Sequence, residues 1–122
     1  MNQKIHIHTA ETNNEELLLY TEEQRNLSAL LPSGQMLVDS DQLSFIYIAE
    51  LDGEYNYITI PDEVWHVVRD GLKSGLEVYV VNQDSRLRLE SFKEEMNYLV
   101  ENIKGNSNYG EKMVEKVENI FN

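Results

Sequence analysis

His6 and His8 stand two residues apart in Lys4-Ile5-His6-Ile7-His8-Thr9, with His66 elsewhere in the chain. On a strand, side chains two apart share a face. The two imidazoles could therefore hold one divalent metal, provided a third ligand closed the site. The simpler reading sends both to solvent while Ile5 and Ile7 fill the core, and it is preferred for a strand so near a terminus. A second candidate is the turn Asp39-Ser40-Asp41-Gln42, where Asp39 and Asp41 offer oxygen to a hard cation. An EF-hand loop needs more oxygen ligands, a central Gly and a closing Glu at its twelfth position. Counting from Asp39, Glu50 falls at position twelve, but Leu43, Phe45 and Tyr47 fill places where oxygens or Gly are required. Asp39 and Asp41 fit better as turn formers that accept backbone N–H bonds.

The third candidate is Asn102-Ile103-Lys104-Gly105-Asn106-Ser107-Asn108-Tyr109-Gly110, which interrupts a helical pattern that resumes at once. Two glycines and three asparagines suit backbone at positive φ. A helix starting after this corner presents free N–H groups that can hold an anion. Asn106, Asn108 and Tyr109 are the binding candidates there. The run lacks the ending of a P-loop and does not follow a strand. Capping of helix ends by the asparagines is the simpler account. No residue is assigned a catalytic role: the chain has no Cys, no serine sits in a Gly-x-Ser-x-Gly elbow, and pairs drawn from so many carboxylates carry no information.

The elements that must position these groups follow from periodicity. Residues 4–9 alternate apolar and polar, as a half-buried strand does. Residues 16–21 read as its partner across a polar turn. Thr21 and Gln24 suggest a capping box for a short helix carrying Leu27, Leu30 and Leu31, ended by Pro32-Ser33-Gly34. Residues 35–39 and 43–51 are strands. Asp52-Gly53 then joins the latter to residues 55–60, the strongest hairpin signal in the chain. A two-residue turn fixes the register: Phe45 opposes Ile60, Tyr47 opposes Ile58 and Ala49 opposes Asn56. On the reverse side Ile46 meets Thr59, Ile48 meets Tyr57 and Glu50 meets Tyr55. One face is core, yet the other still carries Ile46, Ile48, Tyr55 and Tyr57. That is more apolar than an open antiparallel sheet usually shows to water, so these four are the candidate interface and a covering layer or second subunit is expected.

Pro61, Asp62 and Glu63 open a helix whose stripe is Val64, Val67, Val68, Gly71 and Leu72, with Trp65 on its flank. Residues 77–81 and 86–90 form a second hairpin. Ser91 and Glu94 suggest a capping box for a helix burying Phe92, Met96, Leu99 and Ile103. Met113, Val114, Val117, Ile120 and Phe121 make the last stripe. Strands joined by short turns predict a single α+β domain over residues 1–122. Its sheet is mostly antiparallel, of about six or seven strands, with three helices, two of them C-terminal.

Composition narrows the partners. Asp and Glu number 22 against 10 Lys and Arg, a net charge of −12. Such a chain is repelled by nucleic-acid phosphates and anionic headgroups unless cations gather locally. Arg86 and Arg88 are the densest basic spot, and Glu90 follows in the same row. Neither nucleic acid nor membrane is expected as a partner. The absence of Cys suits a reducing cytosol, and the N-terminus lacks the apolar run of a signal peptide.

Two segments, Gly34-Gln35-Met36-Leu37-Val38-Asp39-Ser40-Asp41 and Asn102 to Gly110, occur in this order with Trp65 between them. With them the chain resembles a family of small cytosolic proteins from Bacillus- and Staphylococcus-type bacteria, from about Gly34 to the C-terminus and more loosely before it. The resemblance implies a bacterial cytosolic setting and no particular activity, ligand or cofactor. The reading that fits best is a non-catalytic protein that binds a protein partner or self-associates, as a homodimer for example. The alternative is a small-molecule or divalent-ion binding domain using the Asp39–Asp41 turn, the Asn106–Tyr109 corner, or both. An enzyme comes third, since it needs a concave pocket with convergent titratable groups.

Overall fold

A computed structural model describes residues 3–122. It forms one seven-stranded sheet with three helices, an α+β fold. The strands are β1 (Gln3–Thr12), β2 (Glu16–Thr21), β3 (Leu31–Asp39), β4 (Ser44–Leu51), β5 (Glu54–Pro61), β6 (Glu77–Val81) and β7 (Arg86–Arg88). The helices are α1 (Trp65–Lys73), α2 (Phe92–Ile103) and α3 (Glu111–Ile120). Spatial order is β3-β4-β5-β1-β2-β6-β7.

The β1–β2 hairpin lies at the centre, flanked by the β3–β4–β5 meander and the β6–β7 hairpin. Each sequential hairpin is antiparallel, as short turns require, but the flanking units join the centre in parallel, β5 on β1 and β2 on β6. The sheet is therefore mixed rather than mostly antiparallel. Turn lengths govern only consecutive strands; these two pairings join strands separated by whole units of chain.

The β4–β5 register is the one its turn dictates, Phe45 on Ile60 through Glu50 on Tyr55. Asp52 and Gly53 both take positive φ, +53° and +79°, the twist that lets a two-residue loop follow the strands. Three local expectations fail. No helix forms after Thr21: its Oγ1 instead accepts from the Glu23 amide at 3.2 Å, and only a single 3₁₀ turn, Leu27–Ala29, follows. Pro32 and Gly34 lie within β3, where the register slips between Pro32 and Gln35. Ser91 sits at φ +63°, outside the extended backbone an N-cap residue ordinarily takes, and makes no cap bond.

All three helices pack on one face of the sheet. Their apolar stripes and the strand residues Ile5, Leu17, Leu19, Phe45, Tyr47, Ile58, Ile60 and Val80 make a single buried cluster. Trp65, on the flank of the α1 stripe, is fully buried. Its indole N–H donates to the Ile60 carbonyl at 3.0 Å, and its ring lies 4.9 Å from that of Phe45. α1 comes down on β2 at Gly71, where an added Cβ would fall 3.1 Å from the Leu17 Cβ. Among the described residues no helix is long and apolar enough to cross a membrane.

Candidate functional site

Alternation along each strand sends half its residues away from the helices. On the β3–β4–β5 half this second face carries Leu37, Ile46, Ile48, Tyr55 and Tyr57, paired as Leu37 on Ile46 and Ile48 on Tyr57. Ile48 is shielded by its strand neighbours and yet stands outside the helix-side cluster. Ile46 and Tyr57 are half-buried, while Leu37 and Tyr55 are 46% and 48% exposed. The four residues singled out from the hairpin register thus share one open face. The expected covering layer is absent among the described residues, since the helices all take the other side.

The β2–β6–β7 half of that face is mixed, with Leu18, Tyr20, Tyr79 and Val81 set among charged residues that pair with one another. Arg86 bonds Glu16 and lies over the Tyr79 ring with its guanidinium carbon 3.7 Å from the centroid. That bond holds the Glu16 carboxyl below its ordinary pKa. Arg88 pairs with Glu77 at 2.9 Å. The basic spot read from sequence is therefore neutralised by its own sheet.

Between the halves, at the rim, lies a depression of about 500 Å³ lined by Lys4, His6, Asp39, Asp41, Thr59 and Glu63, with Gln42, Ser44 and Pro61. Two candidates that sequence kept apart, the histidine strand and the Asp39–Asp41 turn, meet here. The parallel β1–β5 pairing brings His6 beside Thr59, with 2.8 Å between Nδ1 and Oγ1. Asp39 Oδ1 accepts from the Gln42 amide at 3.1 Å, so this carboxylate does serve the turn. Leu43 beside it takes φ +49°, an unusual conformation for leucine. His8 lies in the β1 irregularity between Ile7 and Thr9. Among the described residues no three His, Asp or Glu side chains come close enough to hold a metal ion together.

The Asn106–Tyr109 corner takes no part in this depression. Asn106 Oδ1 accepts from the Asn108 amide at 3.1 Å and caps a 3₁₀ turn, Ser107–Tyr109. Tyr109 packs against the core. The Gly105 N–H, which an anion could have used, already donates to Glu118 Oε2 at 2.8 Å. The corner and the aspartate turn line separate depressions. Sequence reading missed Lys4, Thr59 and Glu63 as neighbours of the turn, and no local signal marks them. Their proximity comes from the pairing of β1 with β5.

Residues 5–121 match the UPF0738 family, a family of unknown function, so the chain belongs to it. Similar proteins include a UPF0738 protein of Bacillus licheniformis, 39% identical over 121 residues that cover 99% of each chain. A UPF0738 protein of Bacillus subtilis is likewise 39% identical, again over 99% of both. One from Geobacillus is 38% identical over 99% of this chain and 98% of its own. The resemblance noted from Gly34 onward thus extends through the first thirty residues as well. No solved structure matches the chain.

Proposed function

We propose that this member of the UPF0738 family is a non-catalytic docking protein of the bacterial cytosol. Its open β3–β4–β5 face receives a protein partner or a second copy of the chain. One observation carries the reading: the helices bury only one side of the sheet, and the other keeps Leu37 and Tyr55 exposed and Ile46 and Tyr57 half-exposed around a shielded Ile48. Contiguous apolar surface of this kind marks interaction sites on proteins that stay dispersed. Chromatography with light scattering tests it, comparing the wild type with Tyr57→Lys. A mass above that of one chain, lowered by the substitution, supports docking through this face. A single-chain mass at every concentration removes the second copy as occupant. Equal binding of an apolar dye by both proteins removes the face itself.

A second reading rests on the depression that joins Lys4 and His6 to Asp39, Asp41 and Glu63. Lys4 and three carboxylates around one hollow suit a small zwitterion or amine, or a divalent ion that keeps most of its water. A ligand that binds only the folded state raises the melting temperature. A thermal-shift panel of metals and metabolites, run beside Asp41→Asn, is the test, and no shift across the panel counts against it.

A further inference from the structure

We propose that the outer edge of β3 pairs with β3 of a second copy, antiparallel about a two-fold axis through Leu37, so that two seven-stranded sheets become continuous. The proposal rests on the docking reading and names both its occupant and its geometry.

The direction of the free backbone groups follows from the hairpin. A two-residue turn makes Leu51 and Glu54 a hydrogen-bonded pair, and bonded and unbonded pairs alternate from there. Ala49, Tyr47 and Phe45 therefore bond β5, while Ile48 and Ile46 bond β3. Opposite them Gln35 and Leu37 turn inward. The Ser33 hydroxyl agrees: it donates to the Ile48 carbonyl at 2.6 Å and accepts the Gln35 amide at 3.1 Å, which places that amide on the β4 side. The N–H and C=O of Met36 and Val38 are left directed off the sheet, and β3 is its last strand.

Proteins usually guard such an edge with charge, proline, a bulge or shortness. The opposite edge, β7, is three residues long and carries Arg86 and Arg88. β3 has nine residues, and its only charge is Asp39 at the end. It lies in the longest charge-free run of the chain, residues 26–38, although 26% of all residues are charged. Pro32 and the register slip guard only its first half. For a chain of net charge −12 this edge is where a second copy meets the least repulsion.

One register uses the whole unguarded stretch, residues 35–39. With Leu37 on the axis, Met36 exchanges both backbone bonds with Val38 of the second copy, and no outward group is wasted. Leu37 meets its own counterpart as an unbonded pair, with Cα atoms about 4.5 Å apart. Because Leu37 also pairs with Ile46, the apolar rows of the two open faces join. Asp39 falls beside the Gln35 amide, and the two Asp39 carboxylates stand about 14 Å apart along the strands, beyond the screening length.

The chain has no cysteine, so Leu37→Cys places a single thiol on the axis, at a spacing a disulfide accepts. Tyr98→Cys, on an α2 residue 65% exposed, measures chance collision. Under oxidised glutathione, Leu37→Cys is expected to form covalent dimers at least tenfold faster than Tyr98→Cys. In the wild type, hydrogen exchange at the Met36 and Val38 amides should slow as concentration rises. Equal crosslinking rates overturn the edge pairing, as do Met36 and Val38 amides that exchange alike at all concentrations. If the edge fails in either way while Tyr57→Lys still lowers the particle mass, the open face survives as the docking surface without it.

Discussion

The buried hydroxyl of Tyr47 donates to the Glu90 carbonyl at 2.7 Å and accepts from the Gly34 amide at 3.1 Å. One side chain of β4 thus ties the irregular half of β3 to the residue pair that starts α2. Gly34, at φ +75°, lies close to the Ser91 side chain at the same junction. The clamp holds the uncovered edge of the sheet against the helical layer.

Burial pushes the Tyr47 phenol up to about 12 from an ordinary 10. Between those values the folded chain holds a proton that the unfolded chain releases, so stability falls as pH rises through this window. The loss is about 2–3 kcal/mol on the usual conversion. Tyr47→Phe is expected to cost about 1–3 kcal/mol at pH 8, because a carbonyl and an amide lose their partner. It should also remove that part of the alkaline decline. Urea unfolding of both proteins at pH 8 and pH 11 checks this, and parallel declines would refute the assignment.

Gly71→Ala should destabilise although alanine is the better helix former. Its Cβ meets Leu17 at 2.9–3.3 Å, against side-chain atoms anchored in the central strand. Overpacking of this kind costs about 1–3 kcal/mol, against a helix gain of about 1. At Gly53 nothing lies within 4 Å, so Gly53→Ala pays only for positive φ. Combining Gly71→Ala with Leu17→Ala should cost less than the two singles added, which denaturant titration of the cycle can measure.

Asn56 is 2% exposed, and its side-chain oxygen has no hydrogen-bond partner among the described residues. It faces the core beside Ala49. Asn56→Leu keeps the size and removes the unsatisfied group, so a gain of about 1 kcal/mol is expected in chemical denaturation. A loss would mean that the bond from Asn56 Nδ2 to the Glu54 carbonyl, 3.5 Å, or a buried water on the amide outweighs that gain.

Asn106→Ala should lower stability by about 1 kcal/mol, the usual loss of a capping side chain. Neither the particle mass nor the Leu37→Cys crosslinking rate should change with it. An altered response to metabolites in the thermal-shift panel would instead make the corner a binding site.

Local pattern determined much of this molecule. The Asp52-Gly53 turn set the register of its two strands and so the membership of both faces, because a side-chain period of two leaves no freedom once one pair is fixed. Phe92, Met96, Leu99 and Ile103 were readable as a buried helical stripe, and Glu77–Val81 as a strand. What failed involved distant partners. Ser91, beside Gly34, takes left-handed backbone and makes no cap bond, and nothing local showed that Trp65 would be fully buried with its ring tilted against Phe45. The depression at His6 and Asp39 exists because β1 lies parallel to β5. Only tertiary structure decided that all three helices share one side of the sheet, leaving Ile46 and Tyr57 open, and that β3 ends the sheet. Those outcomes depend on which distant strands pair, and backbone hydrogen bonds are chemically alike whatever side chains they carry.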